Sequence, residues 1–158
     1  MAKKGKRKAA PGDVATNRQA GFRYEFLDKV EAGIQLQGTE VKSVREGGVQ
    51  LKDSYASVRD GEVWLHNAHI APYAPASREN HEPERPRKLL LHRREIERLY
   101  AQVREKGFTV VPTRVYFKEG RVKVELALAR GKDLRDKRRD IAARDAKRQI
   151  ERELKNLG

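Results

Sequence analysis

Between residues 22 and 36 apolar and polar side chains alternate almost without interruption. Phe22, Tyr24, Phe26, Val30, Ala32, Ile34 and Leu36 share one parity, and Arg23, Glu25, Lys29, Glu31 and Gln35 hold the other. A period of two sends successive side chains to opposite faces, so this pattern predicts a strand with one buried and one wet face. At about 3.3 Å per residue it would reach about 50 Å, far beyond an ordinary strand, so it must bend. Asp28, on the apolar parity, and Gly33 are the expected bends. A long amphipathic strand that turns corners is how a small sheet closes into a barrel. Over residues 39–46 the period changes. Val41 and Val44 make an apolar stripe at helical spacing, Lys42 and Arg45 a basic one, and Gly47-Gly48 ends the turn. So short a helix needs tertiary support. It is expected to sit on the barrel and present Lys42 and Arg45 from a rigid seat.

The following segments repeat the strand theme. Residues 51–59 and 62–70 flank Asp60-Gly61, the signal of a type I′ hairpin. Residues 108–118 and 121–130 form a second hairpin over Glu119-Gly120. Val115, Phe117, Val122, Val124, Leu126 and Leu128 point inward, Lys123 and Glu125 outward. Pro112 calls for a bulge or an edge position. Between the hairpins, residues 72–87 carry four of the six prolines and are expected as an exposed, partly disordered loop. In residues 92–106, Ile96, Leu99, Tyr100 and Val103 recur at helical spacing and Gly107 is the stop, predicting a helix that plugs one end of the barrel.

The two ends differ from this middle. Residues 1–16 open with Lys3, Lys4, Lys6, Arg7 and Lys8 and read as a flexible basic arm. Residues 131–158 contain ten Lys/Arg, six Asp/Glu and no aromatic residue. As a helix they offer one thin stripe of Ala143, Ala146, Ile150, Leu154 and Leu157. Lys137, Arg144, Arg148, Arg152 and Lys155 lie on the opposite side. That stripe is too slight to dock firmly. The expectation is a tail disordered in the free protein and helical on RNA, with a solvated charged helix as the alternative. The division is therefore an arm over 1–16, a barrel over 17–130 and a tail over 131–158.

Charge narrows the partner. The chain has 36 Lys+Arg against 23 Asp+Glu, a net charge of +13 and an isoelectric point near 10.1. A compact body that basic points to a polyanion, with nucleic acid ahead of an anionic membrane surface. No apolar run approaches the roughly 20 residues needed to span a bilayer. Cysteine is absent, which removes thiolate chemistry and fits a cytoplasmic protein.

Catalytic patterns are missing. There is no GxSxG elbow, phosphate-cradling GxxxxGK[ST] loop or HExxH helix. Gly131-Lys132 lacks the earlier glycine and the following Ser/Thr of a phosphate loop. His66 and His69 with Glu62 invite a metal, but residues three apart on a strand face opposite ways. His81, in the proline-rich loop, is expected to be solvated, and Glu31, if set beside an Arg or Lys of a neighbouring strand, is expected to be structural. No enzyme, cofactor or metal is expected. The fold class is mainly β with helices, an oligonucleotide-binding-like closed antiparallel β-barrel with about three helices and a basic C-terminal tail. Such a barrel without a recognition helix favours RNA or single strands over duplex DNA.

Four runs carry a resemblance: EAGIQLQGTEVKSVREGG (31–48), NAHIAPY (67–73), NHEPERPRKLLLHRREI (80–96) and GKDLRDKR (131–138). They resemble the small protein B family, the bacterial tmRNA-binding proteins of trans-translation. The resemblance implies a body that binds the tRNA-like domain of tmRNA and delivers it to stalled ribosomes. It implies a tail that enters the empty mRNA channel near the decoding centre, so that the peptide is tagged and the ribosome freed. Alanyl-tRNA synthetase and elongation factor Tu would be indirect partners, and the protein itself is expected to be monomeric. Carried over by position, Asn17, Glu31 and Leu91 correspond to tmRNA-binding determinants, with Lys42, Arg45, Arg87 and Lys88 as phosphate contacts. Arg18 and Lys123 join that set. Gly131, Lys132, Asp136, Lys137 and Arg138 correspond to the decoding-centre motif, extended by Arg144, Arg148 and Arg152 along the tail. Relatives commonly carry an aromatic residue or histidine where this chain has Arg135, whose guanidinium plane can also stack on a base. A ribosomal or rRNA-binding assembly factor and an RNA-modifying enzyme are the competing readings.

Overall fold

The computed structural model of the chain describes residues 12–132 and 134–157. Strand β1 (Asp13–Thr16) leads into helix α1 (Arg18–Arg23), the long strand β2 (Tyr24–Ile34) and helix α2 (Gly38–Arg45). Short β3 (Val49–Gln50) precedes the hairpin of β4 (Tyr55–Arg59) and β5 (Glu62–His66), then β6 (His69–Ile70). A 3-10 turn (Ala74–Glu79), β7 (Arg87–Leu90), α3 (Arg93–Lys106), β8 (Thr109–Lys118), β9 (Arg121–Gly131) and α4 (Leu134–Leu157) complete the chain.

The main sheet is antiparallel and runs β1-β8-β4-β5-β7-β2-β9, with β8 also paired to β9, so the sheet curls round and closes as a ring. β2 makes the closure possible. Along β9 it slips register between Phe26 and Asp28, and at Gly33 it meets both Lys123 of β9 and Leu90 of β7. Both expected bends are therefore present, and at Gly33 a Cβ would lie 3.4 Å from the Leu90 Cβ. Pro112 also acts as expected, with a register shift between Pro112 and Arg114 on β8. Both hairpin turns have the left-handed φ pair of a type I′ turn, at Asp60 (51°) and Gly61 (76°) and at Glu119 (53°) and Gly120 (77°).

The ring interior is filled by Val63, Leu65, Leu89, Val110, Val124 and Leu126, all at or below 2 % exposure. Ile96, Leu99 and Val103 of α3 pack on this core while Tyr100 stays exposed, and Gly107 closes the helix at φ +67°. Burying such side chains contributes about 1.5–3 kcal/mol each before chain entropy is subtracted.

Several expectations are corrected. Residues 13–16 belong to the sheet, because Val14 and Ala15 bury against the core and β1 pairs with β8. Residues 1–11 of the expected arm lie outside the described residues. Phe22 is half-exposed on α1 and not in the long strand. This helix was missed, and it makes a second small core in which Ala20 covers Val111, Ala127 and Ala129 on the outer side of β8 and β9. Asn17 caps it, its Oδ1 accepting from the Ala20 N–H at 3.2 Å while its Nδ2 donates to the Pro112 carbonyl at 2.9 Å. The run 51–59 becomes strand only at Tyr55, and 62–70 breaks after His66 at a left-handed Asn67 (φ 63°) before β6 pairs with β3.

Candidate nucleic-acid interface

Helix α2 is seated by a buried ionic cluster. Glu40, in its first turn, accepts the Gln37 backbone N–H at 2.7 Å. Its carboxylate also takes Arg85 Nε at 3.0 Å and Nη2 at 2.6 Å, and Arg87 Nε at 2.6 Å. Arg87 spends its remaining donors on the carbonyls of Ala68 (2.7 Å), Pro83 (3.0 Å) and Glu82 (3.3 Å). Both Glu40 and Arg87 are wholly buried. Burial works to raise the Glu40 pKa, but the bonds from Arg85, Gln37 and Arg87 outweigh it and hold the carboxyl below its usual range. Burial pulls the Arg87 pKa down against Glu40's support.

His81 completes the seat. Its Nε2 donates to the Ile70 carbonyl at 2.9 Å, which leaves Nδ1 to accept the Thr39 hydroxyl at 2.9 Å. The proline-rich segment is exposed over much of its length, as expected, but the side chains of His81, Arg85 and Arg87 tie it to α2. His81 and Arg87 are buried, so the expectation of a solvated His81 is corrected. The expected phosphate contact by Arg87 is corrected accordingly, since every donor direction is turned into protein. On the opposite side of α2, Lys42 and Arg45 are exposed, with Lys42 Nζ 5.6 Å from the Tyr73 ring centre. Lys88 is half-buried and bonded to Glu62 at 2.8 Å.

Around Glu31 the outer face of β2, β9 and β8 carries a second network. The Tyr116 hydroxyl donates to the Glu31 carboxylate, and Lys118 Nζ lies 3.3 Å from it. The Tyr116 bond, helped by Lys118 and Lys123, holds the Glu31 carboxyl below its usual pKa. Burial and the Glu31 bond push the Tyr116 phenol up. Arg114 lies over the Tyr116 ring at 4.1 Å and bridges Asp13 (2.6 Å) and Glu125 (3.3 Å). Glu31 therefore pairs with a cation, but one on β8, beyond its neighbouring strand β9, and 37 % of its side chain still faces solvent.

An open groove of about 310 Å³ is lined by Ile34, Leu36, Val41, Leu90, Val122 and Lys123. It brings α2, the end of β2 and the β8–β9 turn together, with Arg121 and Lys123 as cations in its lining. Leu91 is half-buried against the core. Arg18 is exposed on α1, while Asn17 is absorbed in capping. Gly131 ends β9, and the Lys132 N–H donates to the Arg23 carbonyl at 3.1 Å. Arg135, Asp136, Lys137 and Arg138 are on α4, and their side chains lie outside the described ones. Every described side chain from Arg144 to Lys155, including Arg148 and Arg152, is exposed. Arg144 sits 5.6 Å from the Phe22 ring centre.

Glu40, Arg85, Arg114 and Tyr116 were missed by sequence reasoning. Glu40 alone left a signal, as an acidic residue three after Gln37 at a helix start. His66 bonds Ser57 at 2.7 Å and His69 lies 3.5 Å from Glu84. Among the described residues no three metal-capable side chains gather, and no helix there is long and apolar enough to cross a membrane.

Residues 14–156 match the family model of SmpB protein. An SsrA-binding protein of Syntrophomonas wolfei subsp. wolfei is 56% identical over 155 residues, covering 98% of this chain and 97% of its own. The SsrA-binding protein of Mycobacterium tuberculosis strain H37Rv is 60% identical over 141 residues, 89% of this chain and 88% of its own. A solved chain described as "tmRNA-SmpB: a journey to the center of the bacterial ribosome" superposes with a TM-score of 0.65 at 51% identity, covering 79% of this chain and 87% of that one.

Proposed function

Since the chain belongs to the SmpB protein family, we propose that it is an RNA-binding protein that grips tmRNA and works with it on the ribosome in trans-translation. It acts by binding rather than by catalysis, in the cytoplasm. The body holds the tRNA-like domain of tmRNA and delivers it to a stalled ribosome. The observation that carries this reading is the pair Lys42 and Arg45, exposed on a helix whose opposite face is locked by Glu40, Arg85 and Arg87. Two cations on a fixed helix contact phosphates with no backbone to order, only their own side chains. Lys123 extends that contact along the groove and Glu31 carries it onto the sheet face beyond, with Leu91 anchored in the core behind. Arg18 adds charge on α1 and Lys88 on β7, and Asn17 serves by fixing α1.

The tail does the second half of the work. Its described side chains leave it little tertiary support, so it takes its working place only where RNA surrounds it. An unoccupied mRNA channel offers that surrounding and an occupied one does not. There Gly131, Lys132, Arg135, Asp136, Lys137 and Arg138 lie near the decoding centre, with Arg144, Arg148 and Arg152 following the channel. Deleting residues 131–158 should leave tmRNA affinity within about twofold of the full chain and abolish peptide tagging in a reconstituted stalled-ribosome assay. Parallel loss of both, measured by gel shift and tag incorporation, would overturn the division.

A further inference from the structure

The outer face of β4, β5 and β7 carries a group of aromatic side chains that neither network uses. Strand register sets Tyr55 opposite His66, Ser57 opposite Trp64, and Trp64 opposite Lys88. Their neighbours Ala56, Val63, Leu65 and Leu89 fill the ring interior. By strand alternation Tyr55, Trp64, His66, Arg59 and Lys88 therefore share the outside. The Tyr55 and His66 rings are stacked, with centroids 5.0 Å apart and planes 24° from parallel, and Tyr55 is 42 % exposed. Ser57 holds the His66 ring through Nε2 at 2.7 Å, so the stack is fixed from behind. Beside it, Trp64 and Lys88 line a shallow depression of about 420 Å³ with Gln35, Leu36, Gln37 and Arg85. Arg59 is exposed and has no ion pair among the described residues. Glu62 is the opposing charge. It bonds Lys88 at 2.8 Å, and that cation holds its carboxyl below the usual pKa.

Aromatic faces ringed by cations on a closed sheet suit one ligand chemistry. We propose that this face binds unpaired RNA nucleotides, stacking one base on the Tyr55–His66 pair and seating a neighbour against Trp64, with Arg59 and Lys88 on the phosphates. Every base has a π-face, so such a surface tolerates sequence and selects single strands over duplex. A protein partner would find few apolar side chains here beyond the aromatic ones, and the chain's charge of +13 favours a polyanion. The proposal rests on the RNA-binding reading above and adds a second surface to it.

Trp64 is the single tryptophan of the chain, so its fluorescence reports this face directly. The full-length protein is titrated with a single-stranded oligouridylate and with a duplex RNA of equal length. Saturable quenching by the single strand, weakened by salt and absent with the duplex, is expected. Tyr55→Leu should raise the single-strand Kd about tenfold and Tyr55→Phe should restore it, since a phenyl ring still stacks. Arg59→Ala, a surface change that leaves folding alone, should lower the salt slope by about one. Silent Trp64 fluorescence at protein concentrations that saturate tmRNA in a gel shift overturns this proposal and leaves the tmRNA reading standing. Quenching by the oligonucleotide without any preference for tmRNA does the reverse. Equal Kd for Tyr55→Leu and the parent, or an unchanged slope for Arg59→Ala, also overturns it.

Discussion

Glu40 and Glu31 are both glutamates held by cations, and they do opposite jobs. Glu40 has no exposed surface, its partner Arg87 is wholly buried and Arg85 reaches it from the surface, so the cluster is spent on joining α2 to the proline-rich segment. Glu31 meets Tyr116 and Lys118 on a strand face that water reaches. A buried pair is costly to form and very costly to break, because removing one partner strands the other in a low dielectric. An exposed pair is worth little and can exchange its partner for a ligand. The comparison separates the residues that build the RNA surface from those that can be part of it.

The largest effect should come from breaking the buried side. Arg87→Ala takes one of two cations from the buried Glu40 and strips the carbonyls of Ala68, Glu82 and Pro83 of their donor, and should cost about 3–5 kcal/mol, read as a fall in the urea midpoint at unchanged m-value. A loss under about 1 kcal/mol would mean that α2 is held by its apolar stripe alone.

Acid should test the same cluster by another route. The folded Glu40 pKa lies below the reference value of 4.5. Its stabilisation is therefore present above the unfolded pKa and is lost as pH falls through the folded one. Glu40→Gln should be less stable at neutral pH, and the gap to the parent should close as pH drops below about 4.5 in acid-unfolding curves. A gap independent of pH would assign the loss to packing.

On the exposed side the changes should be small in stability and visible in titration. Tyr116→Phe should cost about 1 kcal/mol or less, since water replaces part of the lost bond. It should also raise the Glu31 carboxyl pKa toward its ordinary value in an NMR titration, because the phenol is its foremost stabiliser. An unmoved pKa would place Lys118 and Lys123 in charge.

How far the sequence revealed this contrast depended on the range of the signal. The Asp60-Gly61 and Glu119-Gly120 turns, the α3 stripe with Gly107 and the bends at Asp28 and Gly33 are local, and each was legible. Lys42 and Arg45 were legible as exposed because the apolar side of α2 is set by Val41 and Val44. The fate of Arg87 was not. A proline-rich, polar segment reads as a solvated loop until a carboxylate 47 positions earlier in the chain is brought against it. α1 was hidden for a similar reason. Phe22 continues the strand parity, and only the cover that Ala20 gives β8 and β9 makes a helix preferable there.

The central claim is that α2, seated by the buried cluster, presents Lys42 and Arg45 to RNA phosphates. It is tested most directly by the salt dependence of tmRNA affinity in the doubly substituted Lys42→Ala, Arg45→Ala protein. The account predicts weaker binding and a slope of log K against log salt shallower by about two than the parent's, with the melting temperature unchanged. An unchanged slope at unchanged stability would contradict it.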